Sequence, residues 1–162
     1  MNIFPTLANF NPWVNAHIYD ATATLSDADY RKDYGAFFGS IHNTLNHILV
    51  VDRLWFGRAK GIKHGIKSLD QILYDDFDAL RAEREAEDQR IVEFVSGLSE
   101  EDLAEVVPFE TTDGRPGQLP RYLMFMTVFN HQTHHRGQVT AMLSSFGAGY
   151  GDIDLPYFLA AV

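Results

Sequence analysis

Apolar positions recur at three- and four-residue spacing over four stretches of the chain, and that period predicts four helices. The first covers 5–24, where Leu7, Phe10, Trp13/Val14, His17/Ile18 and Ala21 share a face. Ser26-Asp27-Ala28-Asp29-Tyr30 breaks it. The second covers 36–60 and is apolar on most faces from Ile48 to Phe56, so it reads as central or buried at an interface. Gly57, Gly61 and Gly65 close it. The third covers 68–96, with Ser68 as N-cap and Gln71 placed to complete a capping box. Leu69, Ile72/Leu73, Leu80, Ile91 and Phe94/Val95 form its inner stripe, while Arg81, Glu85, Glu87, Asp88 and their neighbours read as a solvated outer face.

A short helical turn is expected over 98–103. Val106-Val107-Pro108-Phe109 reads as extended chain, ended by the turn signal Asp113-Gly114-Arg115-Pro116-Gly117. The fourth helix covers 119–146 and stops at Gly147-Ala148-Gly149. The tail carries Leu155, Tyr157, Phe158 and Leu159, and is expected to pack back on the helices. The reading is one all-α domain over 1–162, a four-helix bundle with a short extended segment before the fourth helix.

Composition narrows the chemistry. A chain of 162 residues can bury one good core without a disulfide or metal to hold it. Its 13 basic against 22 acidic side chains give a formal charge of −9, which argues against nucleic acid or an anionic membrane as partner. The absence of cysteine removes disulfides, thiolate nucleophiles and Cys-ligated metal, so any metal would be held by His, Asp or Glu. The first residues lack the pattern of a signal peptide. The apolar run from Tyr122 to Phe129 is far short of a membrane span, and the expected location is cytoplasmic.

Histidine distribution is the informative feature. His131, His134 and His135 fall within five positions of the fourth helix. A helix turns about 100° per residue, so His131 and His135 lie about 40° apart, one turn above the other. That spacing lets two imidazoles share one ion. His131 with His134 also fits, and spacing does not choose between the pairs. Met124, Thr127, Gln138 and Met142 share the sector of His131 and His135. A third ligand should come from another helix, and His47 is the best candidate. His42 sits about 140° away from it and points elsewhere. His17 reads as a partly buried histidine of the first helix, and His64 as part of a surface loop. No His-Glu-x-x-His or Glu-x-x-His pair is present, which sets aside the zinc-protease and ferritin-like arrangements. Gly147-Ala148-Gly149-Tyr150-Gly151 follows a helix rather than a strand and reads as a helix stop, not a phosphate loop.

Three segments together resemble a known family. They are Trp13-Val14-Asn15; Ser40 to Leu49 with Asp52 and Trp55; and His131 to Gln138. In order and placement these are similar to the signature segments of the DinB-like (damage-inducible, YfiT-related) family, over nearly the whole chain. The resemblance implies a bundle, commonly dimeric, that holds one divalent ion by three histidines, here His47, His131 and His135. His134 matches the non-ligand member of the histidine pair. Three neutral imidazoles would leave the ion its charge and an open position, and Zn or Ni is the expected metal. Asn43, Thr127 and Gln138 are candidate supporting or pocket groups.

Family members with an assigned activity imply a thiol-dependent transferase or isomerase. The expected partners are a low-molecular-weight thiol and a small-molecule electrophile. Two alternatives remain: a metal-dependent hydrolase, and a non-catalytic, stress-related metal-binding protein. A homodimer is expected both from that resemblance and from the second helix being apolar nearly all round.

Overall fold

The computed structural model of the protein describes residues 2–63 and 65–162. His64, expected in a surface loop, lies outside the described residues. Four long helices form the bundle: α1 (Phe4–Thr22), α3 (Ile41–Lys60), α4 (Phe77–Ser96) and α6 (Arg121–Ser145). Short α2 (Asp27–Tyr30) and α5 (Glu100–Ala104), strands β1 (Val106–Glu110) and β2 (Pro116–Pro120), and α7 (Leu155–Ala161) complete it. The most extensive helix pairings are α3 with α6 and α1 with α4. The helical bundle read from periodicity is the fold found.

Local chemistry sets the helix limits. Ser40 caps α3 by accepting from Asn43 N, and Gly61 ends it with the left-handed φ of +69° that glycine tolerates. The helix therefore begins five residues later than the expected start at 36, because 34–40 instead fold into a tight loop closed by Tyr34 N to Gly39 O and Gly39 N to Ala36 O. Ser26 caps the four-residue α2 in the segment read as a break. Ser99 and Asp102 form a reciprocal capping box on α5.

The third helix departs most from expectation. It begins at Phe77 under an Asp76 cap, not at Ser68. A helix over 68–76 would need Leu73 N to bond Leu69 O. Both groups are taken by α3 instead: Leu69 O accepts from His47 Nδ1 at 2.7 Å, and Leu73 N donates to Asn46 Oδ1 at 2.9 Å. Asn46 also accepts from Tyr74 N and donates to Tyr74 O. The segment 66–76 is therefore a non-helical strap clamped across α3, and Leu69 and Ile72 of the expected inner stripe are exposed. Asp76→Ala should lower stability by about 1 kcal/mol and Ser68→Ala should not, a contrast readable by urea unfolding.

Val106–Glu110 is extended as expected, and it pairs antiparallel with Pro116–Pro120, from Val106 opposite Pro120 to Glu110 opposite Pro116. The second strand displaces the start of the last long helix from 119 to Arg121. The tail does pack back: Phe158 is buried, its ring 5.8 Å from those of Phe10 and Trp13. Tyr157 and Leu159 stay exposed.

A charged layer divides the apolar interior. Phe4, Ala8, Phe56, Ile91, Met124 and Phe125 belong to one cluster; Val14, Ile18, Leu49, Leu80, Val139 and Leu143 belong to the other. Where the two meet along each helix lie Asn11 and Asn15, Asp52, Arg84 and Asp88, and Gln132 and Arg136, all buried. Arg84 Nη1 donates to Asp52 Oδ2 at 2.6 Å, and Nη2 lies 2.8 Å from Asp88 Oδ1. Gln132 Nε2 donates to Asp52 Oδ2, Asn11 and Asn15 donate to Asp88, and Arg136 donates to Asn11 Oδ1. Two aspartates and two arginines balance in charge, which is what lets ions persist out of water.

This corrects the reading of Glu87 and Asp88 as solvated. Arg81 and Glu85 do lie at the surface, but Arg84, Glu87 and Asp88 face inward and are paired there. The perimeter of α3 is also covered within the chain: Leu49, Val50 and Val51 are all buried without a second copy. The apolar girth of that helix therefore supplies no separate argument for a dimer.

Candidate metal centre

His47 on α3 and His131 and His135 on α6 converge. One ring nitrogen from each lies within 4.8 Å of the others. His47 Nε2 and His131 Nε2 are 3.0 Å apart. Three nitrogens on one tetrahedral ion at the usual bond length stand about 3.3 Å apart, so the cluster is close to the size an ion requires. The antiparallel packing of α3 on α6 makes this possible, since it faces one turn of α3 against two consecutive turns of α6. Residues so placed could hold a metal ion.

The outer ring nitrogens fix the tautomers. His47 donates from Nδ1 to Leu69 O, which leaves its Nε2 lone pair free and aimed at the cluster. His135 donates from Nδ1 to Gln138 Oε1 at 2.8 Å, with the same result. His131 Nδ1 is buried and has no partner among the described residues. Paired with a metal, the Nε2 atoms are lone-pair donors; without one, two of them crowd at hydrogen-bond distance with one shared proton at most. This donor set fits a divalent ion.

Electrostatics favour the neutral rings a metal needs. Burial first, then the neighbouring His135, His47 and His134, push His131 down to about 3. Burial lowers His47 and His135 as well, opposed at His47 by the Leu69 carbonyl and at His135 by Gln138. The shifts all favour the neutral ring, the form in which imidazole binds an ion.

The other histidines separate cleanly. His42 bonds Tyr30 Oη through Nδ1 at 2.9 Å, turned away from the cluster as its wheel position implied. His17 bonds the Trp13 carbonyl of its own helix. His134 is exposed and accepts weakly from Gln138 Nε2 at 3.4 Å. Among the candidate supporting groups, Gln138 touches His135. Thr127 is exposed and bonds Leu123 O, and Asn43 donates to Phe38 O.

Phe38 is the contact that periodicity did not reveal. Its ring stacks on His47 at 3.8 Å and stands 5.6 Å from His135, walling one side of the cluster. Phe37 packs on Phe38 and is 86% exposed. The aromatic pair sits in the loop before α3, where no helical period exists to flag it. The Leu69 carbonyl was equally invisible, being a backbone group in a segment read as helix. Gln138→Leu should weaken metal binding about ten- to a hundredfold by releasing His135, measurable by competition with a chelator.

The model of the DinB family matches residues 1–161. The chain belongs to the DinB family. Protein DinB of Bacillus subtilis (strain 168) is 26% identical over 161 residues, covering 94% of this chain and 90% of that protein. A crystal structure of a DinB-like protein from Bacillus cereus ATCC 10987 superposes with a TM-score of 0.66 at 20% identity, covering 86% of this chain and 90% of the other. At that identity the structural match speaks for the DinB fold alone. Among the described residues no helix is long and apolar enough to cross a membrane.

Proposed function

We propose that the protein is a metal-dependent thiol S-transferase, with His47, His131 and His135 as ligands of one divalent ion. The observation that carries this reading is the composition of the cluster: three imidazoles come together and, among the described residues, no carboxylate joins them. A divalent ion held by neutral ligands keeps its full charge and supplies Lewis acidity that lowers the pKa of a thiol or water bound to it. Hydrolysis would further call for a base to manage the proton of water, and among the described residues no carboxylate stands at the cluster to serve as one. A thiol needs only to be ionised. The missing cysteine is consistent, because sulfur would come from the co-substrate.

The chain's own residues would do three things. Leu69 O and Gln138 hold two imidazoles in the tautomer that presents Nε2. Phe38, packed on His47, excludes water from one side. Phe37 and the exposed Leu69 side chain offer apolar surface near the mouth for the body of an electrophile. Zn and Ni both suit imidazole nitrogen, and we take one of them as the resident ion. The single-domain organisation, the homodimer and the cytoplasmic location belong to the same reading.

Cobalt substitution tests it. A panel of low-molecular-weight thiols, glutathione and coenzyme A included, should give a thiolate-to-cobalt charge-transfer band in the wild type and none in His47→Ala. The same thiol should accelerate alkylation by a bimane electrophile in the zinc or nickel protein. Ester hydrolysis without thiol would transfer the assignment to the hydrolase. A spectrum insensitive to every thiol, with no acceleration, would leave a non-catalytic metal-binding protein.

A further inference from the structure

The C-terminal end of α3 meets the β-hairpin around a cavity of about 240 Å³, remote from the three histidines. Arg58, at its wall, is eleven residues beyond His47, about 16 Å along the helix. Leu54, Ile62 and Ile66 supply apolar wall, and Lys63 stands at the rim.

Arg58 is singular among the arginines. Arg31, Arg53, Arg81, Arg84, Arg90, Arg115 and Arg121 each pair with a carboxylate, and Arg136 donates to Asn11. Among the described residues no acceptor meets the Arg58 guanidinium. It lies in a corner between two rings, 4.9 Å from the centroid of Trp55 and 5.0 Å from that of Phe109. Burial lowers its pKa, and among the described residues no charged neighbour offsets that cost. Aromatic contact attracts the cation but accepts none of its five N–H groups in the way an oxygen does. A half-buried guanidinium held in place by aromatics, with its donors unmet and a cavity beside it, is preorganised for a planar oxyanion. The acid in the cavity wall, Glu110, is engaged by Lys63 at 3.1 Å.

We propose that this cavity is a binding site for a small amphiphilic carboxylate, its carboxyl group on Arg58 and its hydrocarbon part against Leu54, Ile62 and Ile66. The mixed lining decides the class: inorganic anions would leave the aliphatic wall unused. The volume lies below the roughly 300–1,000 Å³ of drug-sized pockets, so the ligand is small. The site stands independently of the metal chemistry proposed above.

Hexanoate is the probe, titrated into the full chain while the Arg58 Nε–H and Trp55 indole N–H resonances are followed by NMR. Both should shift saturably in the millimolar range, and affinity should fall at least tenfold in Arg58→Gln. Ile66→Trp, which keeps Arg58 and fills the cavity, should also abolish the shift and guards against a folding defect in the first variant. His47→Ala should bind hexanoate as the wild type does. Binding lost in His47→Ala, or retained in Arg58→Gln, would place the carboxylate elsewhere and overturn the proposal. So would acetate or inorganic phosphate binding as tightly as hexanoate, since the apolar wall would then contribute nothing.

Discussion

Untagged protein purified without added metal is expected to carry about one divalent ion per chain, and His47→Ala, His131→Ala and His135→Ala are each expected to lose it. The three rings come from two helices and converge within 4.8 Å, so each removal leaves two ligands, too few to hold the ion against buffer. Elemental analysis reads the outcome directly. The effect should also appear as stability, because an ion that binds only the folded chain stabilises it by mass action. At a free concentration a hundred times the dissociation constant the gain is about 2.7 kcal/mol. Chelation should therefore lower the melting temperature of the wild type and leave that of His131→Ala unchanged. Protein that stays metal-free after incubation with Zn²⁺ and Ni²⁺ would reduce the three histidines to polar residues of the interior.

Arg84→Met is expected to be the most damaging substitution away from that cluster, at about 3–5 kcal/mol. Arg84 is 2% exposed and lies between the fully buried Asp52 and the nearly buried Asp88. Its removal strands two carboxylates in the interior. Domains of this kind have about 5–15 kcal/mol in all, so the variant should unfold at much lower urea. Arg81→Met, one turn earlier, removes only the exposed pairs to Asp20 and Glu85 and should cost at most about 1 kcal/mol.

The pH dependence of the defect has a definite sign. Burial pushes Asp52 up to about 6, even though Arg84 and Gln132 pull it down. A carboxyl whose folded pKa lies above its unfolded value binds protons preferentially in the folded state. Its cost to stability is therefore absent below the unfolded pKa, grows as pH rises toward the folded pKa, and is full and constant above it. Without Arg84 that pKa rises further, so the deficit of Arg84→Met relative to wild type should be larger at pH 8 than at pH 5. A deficit that is constant across this range would mean that Asp52 stays ionised in both proteins.

Much of this was legible in the chain itself. The period of α1 and α6, the glycine stop of α3 and the turn at Asp113-Gly114 are local signals, and local geometry dictates them. The pairing of His131 with His135 lay partly within reach: a helix turns about 100° per residue, which brings the two to one face but admits His134 as well. Asp88 could have been found too. Leu80, Arg84, Asp88, Ile91 and Val95 follow one helical stripe, so helical phase places Asp88 inside, whereas side-chain type alone points it to solvent.

Only the tertiary structure decided the remainder. Residues 68–76 carry a helical pattern and a capping signature, yet they are not helical, because His47 and Asn46 of another helix claim the very carbonyl and amide that the ladder required. Phe38 reaches His47 from a loop without periodicity. The convergence of His47 on His131, 84 positions away, depends on how α3 packs against α6. The physical reason is one of range. Period and capping report the hydrogen bonds a segment makes with itself, whereas the strap, the aromatic wall and the three-histidine cluster consist of bonds and contacts made across elements, whose partners no local pattern encodes.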